Sequence, residues 1–285
     1  GKSKNIQLIE LKRANNLAIA LASFKIHDQY DQLVDAIVTM NDKSVSAELL
    51  ACLQRFFPTE DERALLQSFE GPVAKLGKAE QFFCHLLQVP HMQERIDMFL
   101  YKLEFPRTYT SLLKKIKVVK RACRDLVENF SFLRVLQEFY DKQGATNKTK
   151  SFRVFQDQHE VFQREFLPQV DEKLRSYRED LQKAVYVELL DLQIQFNRLV
   201  GGIRPIHVFV DKHQQQAQEK ISDERDLATL GVLQLFAVET RALTAELESE
   251  YESLGVWEDK LLAVFGESKA SCQLSAILQC IVEVL

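Results

Sequence analysis

The residues of this chain whose types and spacing could do chemistry begin with "EGPVAKLGKAE" (70–80), where two glycines and a lysine imitate a phosphate-cradling loop. Such a loop needs four residues between its glycines and a Ser or Thr after the lysine to hold magnesium. Five residues separate Gly71 from Gly77, and Ala79 follows Lys78. The cradle has the wrong size and the metal hydroxyl is missing, so the stretch reads as a Gly71-Pro72 turn before a helix start. Cys84, His85 and His91 are close in the chain, but 84 and 85 point in different directions on a helix. His159-Glu160 lacks the second histidine of a zinc-binding His-Glu-x-x-His. No Gly-x-Ser-x-Gly elbow occurs, and no carboxylate stands in an apolar setting that would raise its pKa. The sequence names no catalytic residue, no metal ligand and no cofactor, and argues against an enzyme.

Charge clusters at one place. In "LLKKIKVVKRACRDLV" (112–127), Lys114, Lys117, Arg121 and Arg124 step by three, four and three and form a basic stripe. Leu113, Ile116, Val119, Cys123 and Leu126 form the apolar side. The stripe reads either as the solvated face of a core helix or as a contact for an acidic protein surface or anionic lipid.

A third feature is a pair of amides. "LIELKRANNLAIAL" (8–21) reads as a helix with Leu8, Leu11, Ala14, Ala18 and Leu21 on one side, interrupted by Asn15 and Asn16. Asn competes with the backbone for hydrogen bonds and is an indifferent helix former. Asn15 is one turn from both Leu11 and Ile19, which sets it against apolar neighbours, where an amide needs a partner.

Helices must position these groups. Hydrophobic residues are 46% and charged residues 27% of the 285, with only nine glycines and six prolines. That composition disfavours a β-sandwich or a Gly-rich nucleotide fold and points to an all-α chain. A net charge of −4 supplies no basic field for nucleic acid. Five scattered cysteines without Cys-x-x-Cys suggest reduced thiols and a cytoplasmic setting. No stretch reaches the eighteen or so uncharged apolar residues of a membrane span. Asn129-Phe-Ser and Asn147-Lys-Thr match the glycosylation triplet by chance.

Residues 1–135 read as short and medium helices. Ile26, Tyr30, Leu33, Ile37 and Met40 keep helical spacing, and Asp42 or Ser44 is placed to cap "SAELLACLQRFF". Thr59 with Glu62 in "FPTEDERALL" forms a capping-box signal. Pro90 and Pro106 are expected to end helices, and a helix is expected to run unbroken from Thr108 to Gln137. After a polar loop at 141–151, a seam from Val170 through Leu199 predicts one helix of about thirty residues, ended by "GGIRP" (201–205). A polar connector (211–226) leads to a second long helix running to about Leu254, with Leu233, Phe236, Thr240, Leu243, Leu247, Tyr251 and Leu254 on one side. The architecture expected is a compact helical block followed by an elongated antiparallel one.

Several segments together resemble one family. "RANNLAIAL", "FFPTEDERALL", "LGKAEQFFCHLLQVP" and "FLYKLEF" occur in the order and spacing of the formin homology 2 domain, the actin-assembling part of formins. "LPQVDEKLRSYREDL" looks like the start of the family's coiled-coil helices. "EYESLGVWEDKLLAVFGES" looks like its closing Phe-Gly-Glu-Asp/Glu segment, with Ser268 in place of the acid. The resemblance implies a knob-like helical block at about 1–135, a coiled-coil region at about 152–215 and a post-like region at about 216–285. It implies actin as partner, held at the filament barbed end for nucleation and processive elongation when two copies join, and hence a place at the actin cytoskeleton. Ile19 matches the family's actin-contacting Ile and Asn16 its motif Asn, which is expected to hydrogen-bond knob backbone. A second, basic contact falls on Arg175 or, with a two-residue slip, Lys173.

The family's N-terminal lasso is expected ahead of residue 1, and its Gly-Asn-x-x-Asn-x-Gly stretch is replaced by "EFYDKQGATNKTKS". A chain without the lasso is expected not to form the family's homodimer. Profilin is expected to act only through a Pro-rich segment outside these residues. The alternative is a helical scaffold that binds membrane or partner helices through the stripe at Lys114, Lys117, Arg121 and Arg124.

Overall fold

The computed structural model describes residues 5–26, 29–145, 149–218 and 224–285. Asn147 and part of the 211–226 connector lie outside them. Among the described residues the fold is all-α, with one isolated parallel bridge between Ile6 and Leu76. Short helices come first: α1 (Leu11–Ser23), α2 (Tyr30–Val38), α3 (Ala47–Phe56), α4 (Glu60–Gln67) and α5 (Lys78–Leu87). Then follow α6 (Met92–Val127), α7 (Phe130–Lys142), α8 (Phe152–Asp157) and α9 (His159–Val161), which runs into a π turn at Phe162–Phe166. The rest are α10 (Glu172–Ser176), α11 (Arg178–Val185), α12 (Leu189–Gln218), α13 (Glu224–Val264) and α14 (Leu274–Val284). The chain divides into two compact units, Gly1–Pro106 with Gly202–Thr240, and Arg107–Gly201 with Arg241–Leu285. The long helices α6, α12 and α13 contribute to both.

In the first unit α5 is the hub, against which α1, α2 and α4 pack. Phe82, Phe83 and Leu86 are buried there, and Tyr30 meets Phe82 edge-on at 5.3 Å. The Thr59–Glu62 capping box forms as the sequence indicates: Glu62 N donates to Thr59 Oγ1 at 3.3 Å, and Thr59 N to Glu62 Oε2 at 2.9 Å. The cap of α3 is neither Asp42 nor Ser44 but Ser46, whose hydroxyl accepts from Leu49 N at 3.2 Å. The stretch that imitates a phosphate loop anchors the N-terminal segment instead. Ile6 N donates to Lys75 O at 2.7 Å, and Gly77 N to Ile6 O at 3.1 Å. The buried Glu80 carboxylate takes Leu8 N and Ile9 N at 3.2 and 3.4 Å. The Gly77 N–H, a donor that a phosphate would need, is thus already taken by Ile6 O.

Pro106 does not end a helix. It sits inside α6, which continues to Val127. A proline inside a helix costs about 3 kcal/mol, and burial offsets this: Phe105, just before it, packs edge-on against Phe236 at 5.6 Å. "GGIRP" does not end a helix either, since α12 passes through it. A Cβ on Gly202 would lie 2.4 Å from the Tyr101 ring. That glycine is there to let α12 approach α6 closely, not to stop a helix.

In the second unit, α6 stops at Val127 and Asn129 starts α7, its side-chain oxygen accepting from Phe132 N at 2.8 Å. The helix expected from Val170 to Leu199 is broken into α10, α11 and α12. Asp171 caps α10 through Leu174 N at 3.3 Å. The Val185-Tyr186-Val187 run, poor in helix propensity, separates α11 from α12. This break frees α11 to bury Leu181 and Ala184 against α14. The core is aromatic: Phe139 meets Phe155, Phe162 and Phe166 edge-on at 5.4 to 5.9 Å. Phe155 touches Phe265 at 5.3 Å.

The helix expected to stop near Leu254 extends to Val264; of its expected seam Leu233, Phe236, Thr240, Leu247 and Leu254 are buried, while Leu243 and Tyr251 are half-buried. By length and composition α13 is apolar enough to cross a membrane. Only 33% of its apolar stretch is buried, and Leu235 and Val238 on α13 are exposed. All five cysteines are free thiols, with Cys123 and Cys280 buried.

The Phe-Gly-Glu segment closes this unit. Gly266 has φ +71, and a Cβ there would sit 2.2 Å from Lys150 O. Glu267 N caps α13 by donating to Leu262 O at 2.9 Å, while Glu267 Oε1 receives Phe152 N at 2.9 Å. One residue thus ends α13 and starts α8. Gly266→Ala is expected to lower unfolding stability by about 2–4 kcal/mol, combining the left-handed penalty with a backbone clash. The urea midpoint should fall at unchanged m value.

Candidate functional site

Helix α1 carries the Asn16 and Ile19 positions. Glu10 precedes it without a side-chain cap, and Ala14, Leu17 and Leu21 form its buried face against α5. The buried stripe therefore runs 14, 17, 21, and Leu11 is not part of it. Ile19 is 68% exposed and Leu11 59% exposed. Asn15 lies between them on the solvent side, not against the core. Asn16 is also exposed and makes no hydrogen bond to described residues. The backbone bond expected of it is absent because its side chain leaves the unit's surface.

Arg13, which the sequence reading passed over, fixes this helix. Its Nε donates to Glu62 Oε1 at 2.6 Å, and its Nη2 to Phe57 O at 2.8 Å and Phe56 O at 3.2 Å. The guanidinium thus satisfies carbonyls at the end of α3 while gripping the residue that caps α4. "RANNLAIAL" and "FFPTEDERALL" are joined through it. The signal lay in the pairing of a helix-end Phe-Phe-Pro with a capping box, which leaves carbonyls for a remote donor to satisfy. Glu80 holds the chain just before α1 and Arg13 holds its first turn, so the exposed face is presented by a fixed backbone.

Lys173 and Arg175 are both exposed on the short α10, with Leu174 buried between them. Neither has an ion-pair partner among the described residues. They belong to the second unit and Ile19 to the first. In the second unit too, the basic stripe is largely consumed within the chain. Lys117 Nζ meets Glu246 Oε1 at 3.2 Å, and Arg121 lies 3.9 Å from Asp180. Arg124 reaches Asp125 at 3.2 Å and Glu128 at 3.9 Å. Lys114 alone of the four has no such partner among the described residues. Glu246 also accepts from Tyr109 at 2.7 Å. That bond, then the Lys117 bond, holds the Glu246 carboxyl below its ordinary range, while burial and Glu246 push the Tyr109 phenol up to about 12.

The histidines and cysteines do not converge. His85 Nδ1 pairs with Asp31 at 2.6 Å and His91 Nδ1 with Glu94 at 2.8 Å. Among the described residues no three His, Cys, Asp or Glu side chains are grouped to hold a metal ion. The Asn129 amide is buried and bonded to Phe132 N and to Asp171 Oδ1 at 3.3 Å, so its triplet is a helix cap.

Comparison with known proteins adds a family. The model of the Formin Homology 2 Domain matches residues 1–139. Formin-like protein 6 of Oryza sativa subsp. japonica is 26% identical over 97% of this chain and 21% of its own length. Formin-like protein 13 of Arabidopsis thaliana is 25% identical over 97% of this chain and 23% of its own. Formin-like protein 17 of Arabidopsis thaliana is 30% identical over 51% of this chain and 29% of its own length. The chain spans less than a third of each of these relatives. Residues 1–139, which hold α1 to α6 and most of α7 with the four quoted segments in order, are thus similar to the Formin Homology 2 Domain.

Proposed function

We propose that this chain binds actin subunits through the exposed face of α1, with Ile19 as the apolar anchor. The observation that carries the reading is a large aliphatic side chain, 68% exposed, on a helix whose start is held by Glu80 and Arg13, at the position matching the family's actin-contacting Ile. Lys173 and Arg175, exposed and without an ion-pair partner among the described residues, would form a second, basic contact. The division into knob-like, coiled-coil and post-like parts belongs to the same proposal. In a dimer, two such chains would hold subunits in filament order at the barbed end, lowering the cost of a nucleus and then stepping with growth. Effective concentration would turn two weak contacts into one persistent grip. Profilin would act through a segment outside these residues, and the protein would work in the cytoplasm at the actin cytoskeleton. The alternative of membrane or helix binding through the basic stripe has less support, because Lys117, Arg121 and Arg124 already face carboxylates of their own chain.

Co-sedimentation with actin filaments and single-filament imaging test the reading together. The chain is expected to pellet with filaments and to change elongation at one end. A chain that stays in the supernatant and leaves elongation unchanged overturns it.

A further inference from the structure

Leu11, Asn15 and Ile19 succeed one another at intervals of four, which on a helix of 3.6 residues per turn keeps them on one face. Leu11 and Ile19 are then about 12 Å apart along α1. A single exposed leucine on a protein surface is ordinary, but three observations set this one apart. Leu11 is half of an exposed apolar pair, with Ile19, on the side of α1 away from its buried face. A shallow depression lined by Glu10, Leu11, Lys12, Asn15 and Asn16 adjoins it. And it lies between two contacts that hold the start of the helix, Glu80 before it and Arg13 after it. The two carboxamides between the apolar ends offer donors and acceptors that nothing in the described chain uses. Asparagine weakens a helix slightly, and here both side chains are exposed.

We propose that the actin-binding face of α1 has two anchors: Leu11 fills a second apolar depression of the partner, about 12 Å from the one that takes Ile19, and the Asn15 carboxamide hydrogen-bonds partner backbone between them. This rests on the function proposed above and lengthens its contact by two helical turns. The partner surface must then offer two apolar depressions with free backbone polar groups between. A rigid helix face reading both is more selective than one anchor, because a surface offering only one depression would leave the Asn15 amide unpaired and desolvated.

The test is a titration of the fluorescently labelled chain with actin filaments, comparing Leu11→Ala, Asn15→Ala and Ile19→Ala. Alanine is the better helix former at each position, and circular dichroism confirms folding. Leu11→Ala is expected to weaken binding about tenfold, and Asn15→Ala about threefold to tenfold. Leu11→Ala binding within about twofold of the parent chain overturns the second anchor. In that case, loss of binding in Ile19→Ala leaves the proposed function standing, and no loss in Ile19→Ala removes it as well.

Discussion

Ile19→Ala is expected to abolish the effect of this chain on actin filament assembly while leaving its helical content and melting temperature unchanged. The two halves of that result come from one number, the 68% exposure of the side chain. Removing an exposed isoleucine takes little from the core, and alanine favours the helix by a few tenths of a kcal/mol. Once bound in a partner cleft, the same side chain would contribute about 2–3 kcal/mol, or roughly a 30- to 150-fold change in affinity. Where two copies grip one filament end, the loss is taken at each contact. Pyrene-actin assays at matched concentration read the first half, and thermal scans by circular dichroism read the second. Leu17→Ala is the informative contrast. Leu17 is fully buried on the opposite face of the same helix, so its truncation should cost about 2–5 kcal/mol of stability. Equal assembly by Ile19→Ala and the parent chain would remove Ile19 from the contact.

The chemistry of the local chain was readable where local rules decide. Thr59 and Glu62 declare the start of α4 because both halves of a capping box are three residues apart and need nothing remote. The inward seam of α13 was readable for a similar reason, since a long helix repeats its pattern enough times to fix one face. Where two faces of one helix are both apolar, periodicity cannot choose. In α1 the stripes 11–14–18–21 and 14–17–21 fit about equally well by spacing. The choice is made by α5, and by Arg13 reaching carbonyls more than forty residues away. The spacing sets Asn15 against apolar neighbours only if Leu11 belongs to the core, and Leu11 is exposed.

The breakers failed for a related reason. Pro106 and Gly201-Gly202 carry strong local penalties, but Phe105 packing on Phe236 and the close approach of Gly202 to Tyr101 are worth more than the lost hydrogen bond and entropy. Conversely, Val170 to Leu199 kept a seam on paper, yet α11 gains more by leaving that line to pack on α14. In each case the deciding partner is far off in sequence, which a single sequence without aligned relatives does not expose.

The other large effect expected is on stability, at Arg95. This arginine is fully buried in the first unit. Its Nη2 donates to Asp226 Oδ1, its Nη1 to Thr229 Oγ1, and its Nε to Pro90 O at 3.1 Å, while the guanidinium lies 5.6 Å from the Phe209 ring centre. Thr229 passes the chain of bonds to Val38 O at 2.9 Å, and His213 Nε2 faces Asp226 Oδ2 at 3.6 Å. One side chain on α6 therefore ties down the start of α13, and through Thr229 the end of α2. Removing a single partner of a buried pair strands the other, which costs about 3–5 kcal/mol. Asp226 keeps some access to water, its side chain being 20% exposed, so the lower end applies. Arg95→Met is expected to destabilise by about 3 kcal/mol and Asp226→Asn by about 2 kcal/mol. The double variant should cost less than their sum by at least about 1 kcal/mol, since neither charge is then left alone. Urea midpoints of the four proteins measure that coupling. If the two losses simply add, Arg95 is held by its backbone acceptors and by Phe209, and Asp226 contributes independently of it.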